Sequence, residues 1–372
     1  MSAGGALGLS ILPRQLSARR RVPSAECRVP SASKPLSILF LGGTGFIGPH
    51  QVEYALKRGH KVTLFNRGKS NPQLFPAAEK LEGDRDGKLD ALKGRKWDAV
   101  IDNSGYVPRH VRDSAELLKN NAGRYLFIST LSVFADFSKT NMDENAPLAQ
   151  LTEPGSEDRR KYYGPLKVLC EQETQKAFGD RSTIVRPGLI VGPGDPTDRF
   201  TYWPVRIDRG GDILAPGDPT DPVLIIDARD LSEWCIHLLE QDVSGVYNAV
   251  GPKGRLSMAE MLYGIRAVTT TDTTFTWVDA DALEKLKVRP WADMPAWFPP
   301  RGPMAGFGLF NRDRAIAKGL TFRPLADTAK DTLDWFKTLP EDRRAKLQAG
   351  IPADREREAL SAWRAQGGKA PA

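Results

Sequence analysis

Short apolar runs recur along the chain, and the stretches between them carry apolar residues at three- and four-residue spacing. Ile38–Leu41, Lys61–Asn66, Lys80–Glu82, Ala99–Asp102, Tyr125–Thr130 and Thr183–Arg186 predict strands. A seventh, Val246–Val250, follows a predicted helix over 230–240. Strands that alternate with helices imply an α/β fold: a doubly wound parallel sheet with right-handed crossovers. Glycine and proline crowd 192–222 and 289–303 and break the alternation, which predicts a smaller C-terminal lobe whose loops recognise substrate. The expected organisation is therefore a sheet domain over 35–190, with 222–250 returning to it. A second lobe takes 191–221 and 251–340, and a charged helical tail over 341–372 packs on the surface. At 372 residues two lobes are expected, since single cores stop growing at roughly 250 to 300 residues.

The first predicted strand runs into Gly42-Gly43-Thr44-Gly45-Phe46-Ile47-Gly48, and a helical pattern through Val52, Ala55 and Leu56 follows until Gly59. Strand, glycine turn and helix in that order make a Rossmann-like dinucleotide site. The first glycine takes a backbone conformation closed to other residues, the second admits a pyrophosphate to the main chain, and the third lets helix and strand pack closely. Free amides at the helix start face the phosphates.

Far along the chain, Tyr163-Gly164-Pro165-Leu166-Lys167 places a phenol and an ammonium one helical turn apart. A nearby cation favours phenolate, so Lys167 is expected to lower the Tyr163 pKa and make the phenol a usable acid or base.

The glycine motif, the Tyr/Lys pair, Leu126–Phe134 and Arg186–Asp195 stand in an order that resembles the extended branch of the short-chain dehydrogenase/reductase superfamily, the NAD-dependent epimerases and dehydratases that act on sugars. The resemblance covers residues 36 to 337. It implies that Thr130 orients the substrate oxygen, with Ser132 as a possible substitute, that Tyr163 is the acid/base, and that Lys167 serves Tyr163 and the cofactor ribose. It implies an adenine-edge contact at Asp84 and Arg85, a cofactor wall at Asn103 and Ser104, and a nicotinamide-side segment beginning Pro187-Gly188. Asp227 and Asp230 resemble a family segment between lobes, with Asp230 read as a helix cap. Dehydratases of this branch follow the active hydroxyl with Asp-Glu, whereas Thr130 is followed by Leu131 and Ser132. Epimerisation or simple oxidoreduction of a sugar or nucleotide-sugar remains, with Tyr163 moving the proton and nicotinamide the hydride.

After the second strand an acid would hold ribose hydroxyls and an arginine would accept the extra phosphate of NADP. The chain reads Phe65-Asn66-Arg67-Gly68-Lys69; Arg67 and Lys69 lean towards NADP, while Asn66 could bond the ribose of NAD. Arg199, Tyr202, Trp203 and Arg206 form the candidate substrate side, joined by Trp291 and Trp297, because aromatic faces stack on sugars and guanidinium groups bind phosphate or carboxylate. The alternative is that these aromatics pack the small lobe.

Composition changes this picture little. Of the net charge of +7, residues 1–34 contribute +5, through Arg14, Arg19, Arg20, Arg21, Arg28 and Lys34 against Glu26. The rest is too balanced to call for a nucleic-acid partner, although an RNA-directed protein on the same fold, like the chloroplast stem-loop-binding proteins, is the alternative function. No apolar run approaches the roughly 20 residues of a membrane span. Cys27, Cys170 and Cys235 and the four histidines lack ligand spacing, so no metal is expected. Residues 1–34 have three open readings: a disordered arm, an organelle transit peptide, or an export remnant. The cytoplasm is the default location, and a homodimer is compatible with the sequence.

Overall fold

The alternation of inward and outward residues on one strand shows how the layers form. The computed structural model describes Ala32 and residues 34–368, so the expectations for residues 1–31, including Cys27, lie outside the described residues. The first half runs β1 (Ser37–Leu41), α1 (Ile47–Lys57), β2 (Lys61–Asn66), β3 (Glu79–Glu82), β4 (Trp97–Asp102), α2 (Pro108–Leu118), β5 (Ala122–Ile128), α3 (Tyr163–Phe178), β6 (Ser182–Pro187) and β7 (Leu189–Val191). Ile38 and Phe40 of β1 pack with Val52 and Ala55 of α1. Leu39 and Leu41 face the other way, towards Val111, Ala115 and Leu118 of α2 and Cys170 and Phe178 of α3. A strand buried on both faces suits a parallel sheet covered by helices on each side.

The second half runs α4 (Tyr202–Asp208), β8 (Gly211–Pro216), β9 (Pro222–Asp227), α5 (Ala228–Glu240), β10 (Gly245–Ala249), β11 (Gly251–Ser257), α6 (Met258–Arg266) and β12 (Thr273–Val278). Five helices complete it: α7 (Ala280–Lys285), α8 (Asp313–Ala317), α9 (Leu325–Lys337), α10 (Glu341–Ala345) and α11 (Ala353–Ala365). The large sheet has the order β10-β6-β5-β4-β1-β2-β3, parallel throughout. The order reverses direction beside β1, the place where α/β sheets open a crevice for ligands. The chain thus has a mostly parallel, Rossmann-like seven-stranded sheet with helices on both faces and further elements on its C-terminal side.

Three expectations change. Residues 222–227 do not return to the large sheet: β9 pairs in parallel with β7 and antiparallel with β11 in a separate three-stranded sheet, and only α5 and β10 go back. Asp230 does not cap α5; the side chain of Asp227 accepts from Arg229 N, while Asp230 takes the Arg323 guanidinium at 2.6 Å. The tail is not a surface layer either. Ala359 and Leu360 of α11 join the small-lobe core, and Glu356 is only 2% exposed. Its carboxylate accepts from Arg206 Nε at 2.7 Å and from Leu214 N at 3.1 Å.

Removing one partner of a buried ion pair leaves the other charge uncompensated. Glu356→Ala is therefore expected to lower unfolding stability by about 3 to 5 kcal/mol, measured by urea titration. A loss within the ordinary scatter of surface substitutions would show that the tail is dispensable.

Candidate active site

A cleft of about 750 Å³ opens where β1, β2, β4 and β5 end, and the glycine run forms one wall. Gly42 and Gly43 have φ of +103° and +105°, so glycine is required at both. A Cβ on Gly48 would lie 2.5 Å from Gly43 Cα, whereas one on Gly45 would meet nothing within 4 Å. The turn is therefore closed on its inner side and open towards the cleft. No side chain caps α1, which leaves its first amides available to an anion. Thr44, Phe46 and Ile47 line the same wall.

At the mouth, Asn66, Arg67, Lys69 and Asp84 border the cleft. Asn66 Oδ1 accepts from Gly68 N at 2.9 Å, and Arg67 and Lys69 are exposed. Asp84 Oδ1 accepts from Asp86 N at 3.1 Å. Arg85, expected at the adenine edge, also lines the cleft, with its charge answered inside the protein. It pairs with buried Asp102 and donates to Ser114 Oγ at 2.6 Å and His110 O at 3.0 Å. Burial opposes the charge, but Asp102 outweighs it and holds the guanidinium above its ordinary pKa. Tyr125 donates to the same carboxylate at 2.7 Å. Next to them, Asn103 donates to Gln51 at 2.7 Å and Ser104 to Leu41 O at 3.1 Å.

The reacting end is built from α3 and the chain after β5. Thr130 starts a short turn over Leu131–Val133, its Oγ1 accepting from Ser132 N at 3.1 Å. A Cβ on Gly164 would lie 2.0 Å from Ser132 O. Only glycine lets the start of α3 come this close, and the contact brings the Tyr163 phenol near the Thr130 hydroxyl. Lys167 is 3% exposed. It donates to Gly105 O at 2.8 Å and Ile128 O at 2.7 Å, with its ammonium 4.0 Å from the Phe127 ring centroid.

Lys167 does not activate Tyr163 in the way the spacing suggests. Burial and the neighbouring Tyr106 push the phenol up to about 12, with Thr130 and Arg199 pulling the other way. Burial brings the Lys167 ammonium down to about 8. The two backbone carbonyls hold the ammonium, so the four-residue spacing yields a shared wall rather than a phenolate pair.

The substrate side divides. Tyr202 and Trp203 are 2% and 0% exposed; Trp203 Nε1 donates to Pro295 O at 2.8 Å. Arg206 is held by Glu356, and Trp297 donates to Asp221 Oδ2 at 2.7 Å. These four are core and support, because the small lobe buries its aromatic residues first. Pro187 and Gly188 lie outside the cleft lining, with Gly188 packed so closely under Leu224 that a Cβ would come within 2.3 Å. Ile190 lines the cleft from that segment. Arg199, over Trp291 with its guanidinium carbon 5.6 Å from the ring centroid, is the remaining candidate.

Sequence reasoning missed Tyr106, Arg109, Glu157 and Arg159, which also border the cleft. Tyr106 directly follows Asn103-Ser104-Gly105 and was within reach of that reading. Arg109 bonds Asp86 at 2.5 Å and Glu157 at 3.2 Å, joining three segments distant in sequence. Among the described residues, no group of three or more His, Cys, Asp or Glu could hold a metal, and no helix is long and apolar enough to cross a membrane.

This fold and this cleft agree with the comparisons to known proteins. The model of the NAD dependent epimerase/dehydratase family matches residues 38–250, over half the chain, and the chain belongs to that family, within the extended short-chain dehydrogenases/reductases. It is 29% identical over 184 residues to the chloroplast stem-loop binding protein of 41 kDa b of Arabidopsis thaliana, covering 44% of each chain. It is 28% identical over 173 residues to the UDP-glucose 4-epimerase of Neisseria meningitidis, covering 38% of this chain and 49% of the other. The chain thus spans about half the length of the curated relatives it matches. Its fold resembles that of the UDP-glucuronic acid 4-epimerase from Bacillus cereus in complex with NAD, with a TM-score of 0.59 at 17% identity, covering 82% of this chain and 97% of that one.

The buried ammonium gives a pH signature. Between a folded pKa of about 8 and the ordinary lysine value, the unfolded chain binds a proton at Lys167 that the folded chain does not. Stability from this group therefore rises with pH across that window. Relative to Lys167→Met, which shares every other titrating group, wild type should gain about 3 kcal/mol between pH 8 and 10.5. Parallel thermal melts test this, and a constant difference would give Lys167 an ordinary pKa.

Proposed function

We propose that this chain is an NAD(P)-dependent epimerase or oxidoreductase acting on a hydroxyl or carbonyl of a sugar or nucleotide-sugar. The observation that carries the reading is that Tyr163 and Lys167 line the same cleft as the open glycine turn, with Thr130 beside the phenol but outside the cleft lining. The family supports the cofactor, which supplies or accepts hydride when bound. Gly42, Gly45, Gly48 and the first amides of α1 would hold its pyrophosphate, with Asn103 and Ser104 along its middle. Tyr163 exchanges a proton with the substrate oxygen, which the Thr130 hydroxyl orients. At a pKa of about 12 the phenol is protonated at neutral pH, the form that donates to a carbonyl. Its action as a base requires a stabilising cation, and Lys167 is the group on the same wall that can supply one by leaving its two carbonyls for the ribose and the phenol.

Tyr163→Phe removes the exchanged proton and little surface. Turnover is expected to fall by roughly 10²- to 10⁴-fold with dinucleotide affinity unchanged. It would be followed as hydride transfer to NAD or NADP across a nucleotide-sugar panel that includes UDP-glucose. A variant active within a few-fold of wild type would remove Tyr163 from the reaction. Salt-sensitive RNA binding without dinucleotide binding would favour the RNA-directed alternative, to which the Arabidopsis relative lends its name.

Arg67 and Lys69, exposed at the mouth in a Phe65–Lys69 stretch that carries no acid, support NADP, although Glu82 of β3 stands opposite Asn66. Arg67→Ala is expected to weaken NADP roughly tenfold and NAD much less, since only NADP offers a further dianion. Added salt should shrink the difference. Equal weakening of both would assign Arg67 to stacking, and no weakening would favour NAD held through Asn66.

A further inference from the structure

Three buried polar side chains stand beside the reacting end, and the chemistry proposed above uses none of them. Ser129 follows β5, Glu171 lies on α3 and Arg186 on β6. The Arg186 guanidinium grips the Glu171 carboxylate along one edge, Nε to Oε1 at 2.9 Å and Nη2 to Oε2 at 2.6 Å. Its Nη1 donates to Glu144 O at 3.1 Å. Ser129 Oγ donates to Glu171 Oε1 at 2.5 Å. Glu171 and Arg186 stay outside the cleft lining, whereas Ile128, Ser129 and Lys167 belong to it. Two charges taken out of water gain little stability over an apolar pair of the same volume, so the group is explained by what it holds in place.

What it holds is the seat of Lys167. The ammonium donates to Gly105 O and Ile128 O, and each carbonyl belongs to a segment tied to a buried carboxylate. On the β4 side Asp102 Oδ1 accepts from Ser104 N at 3.0 Å, one residue before Gly105. On the β5 side the residue after Ile128 is Ser129, tied to Glu171 by its hydroxyl and to Val185 O by its N–H at 2.6 Å. Glu171 follows Lys167 by one turn of α3. The Ser129–Glu171 bond therefore joins the helix that carries Tyr163 and Lys167 to the segment that carries Ile128 O and Thr130. Charged and titratable groups meet the ammonium from several elements. Burial opposes its charge, Cys170 and Glu171 of α3 and Asp102 of β4 favour it, and Arg85 from the loop after β3 opposes it. The Tyr106 ring centroid lies 5.4 Å from it.

We propose that Glu171 is a positioning residue of the reacting end: held by Arg186, it takes the Ser129 hydroxyl and so sets Ile128 O and Thr130 against the Lys167 and Tyr163 of its own helix. This rests on the proposed function for the reaction that is served, and the Lys167 seat can be read without that reaction.

Two substitutions in the full-length protein test the role. Ser129→Ala removes the bond to the carboxylate and leaves the ion pair intact. It should lower kcat roughly tenfold or more on whichever nucleotide-sugar wild type turns over, with KM and NAD affinity unchanged, and Ser129→Thr, which keeps the hydroxyl, should restore most of the rate. Glu171→Gln removes a charge that favours the Lys167 ammonium, so the folded protein should release that proton at lower pH. Thermal melts of Glu171→Gln against Glu171→Gln/Lys167→Met read this without turnover. The pH at which their difference begins to rise should lie at least about half a unit below the onset for wild type against Lys167→Met. If Glu171→Gln does not fold, Glu171→Gln/Arg186→Met, which leaves no unpaired charge, takes its place in the melts. Wild-type kcat in Ser129→Ala, a loss that Ser129→Thr does not recover, or an unmoved onset would overturn the proposal. If wild type turns over no nucleotide-sugar, the reaction proposed above fails and the onset alone decides the role of Glu171.

Discussion

Backbone brought against backbone with no room for a side chain is the constraint on which the rest of this structure depends. It occurs at both ends of the cleft. At one end Gly48 sits on Gly43, where a Cβ would come within 2.5 Å, and this close contact sets α1 against the end of β1. At the other end Gly164 lies over Ser132 O at a distance that excludes any Cβ, and this sets the first turn of α3 against the chain leaving β5. The glycine wall and the Thr130–Tyr163 wall face a common space because both approaches are made. A methyl group at either position would push apart the elements that carry the chemistry, although neither glycine supplies a functional group.

Between those ends the floor is electrostatic. Asp102, at the end of β4, is fully buried; it takes Arg85 from the loop after β3 and Tyr125 from β5. The loop after β3 is thereby tied across the sheet to β4 and β5, at the point where the cofactor would lie. A buried pair of this kind contributes little net stability, since desolvation offsets the attraction. Its effect here is positional: it fixes the Arg85 side chain at the cleft wall and ties the end of β4 to β5. The ammonium above that floor is poorly solvated and sits on two carbonyls and an aromatic face.

The small lobe is held by contacts over long separations in sequence. Arg206 meets Glu356 across 150 positions, Trp203 meets the carbonyl of Pro295 across 92, and Arg343 reaches Asp198 across 145. These contacts fold the C-terminal helices into the lobe.

The sequence by itself determined the parts whose cause is local. Short apolar runs marked the strands of the large sheet to within a few residues, because burial on both faces leaves the inner strands no choice of side chain, whereas β3 at the sheet edge buries one residue of four. The glycine turn and the Tyr163/Lys167 spacing were legible because φ, steric room and helical pitch act over a few residues. Tertiary structure decided which of several arginines and aromatics are free. Tyr202, Trp203 and Arg206 read as ligand-facing in sequence and are structural in the fold, because a charge or a ring is defined by the group that meets it. Asp102, Pro295 and Glu356 arrive from parts of the chain that no local pattern connects. The same reason separates Lys167 from Tyr163: helical pitch put both on one wall, and the carbonyls of Gly105 and Ile128, from two other segments, decided where the ammonium rests.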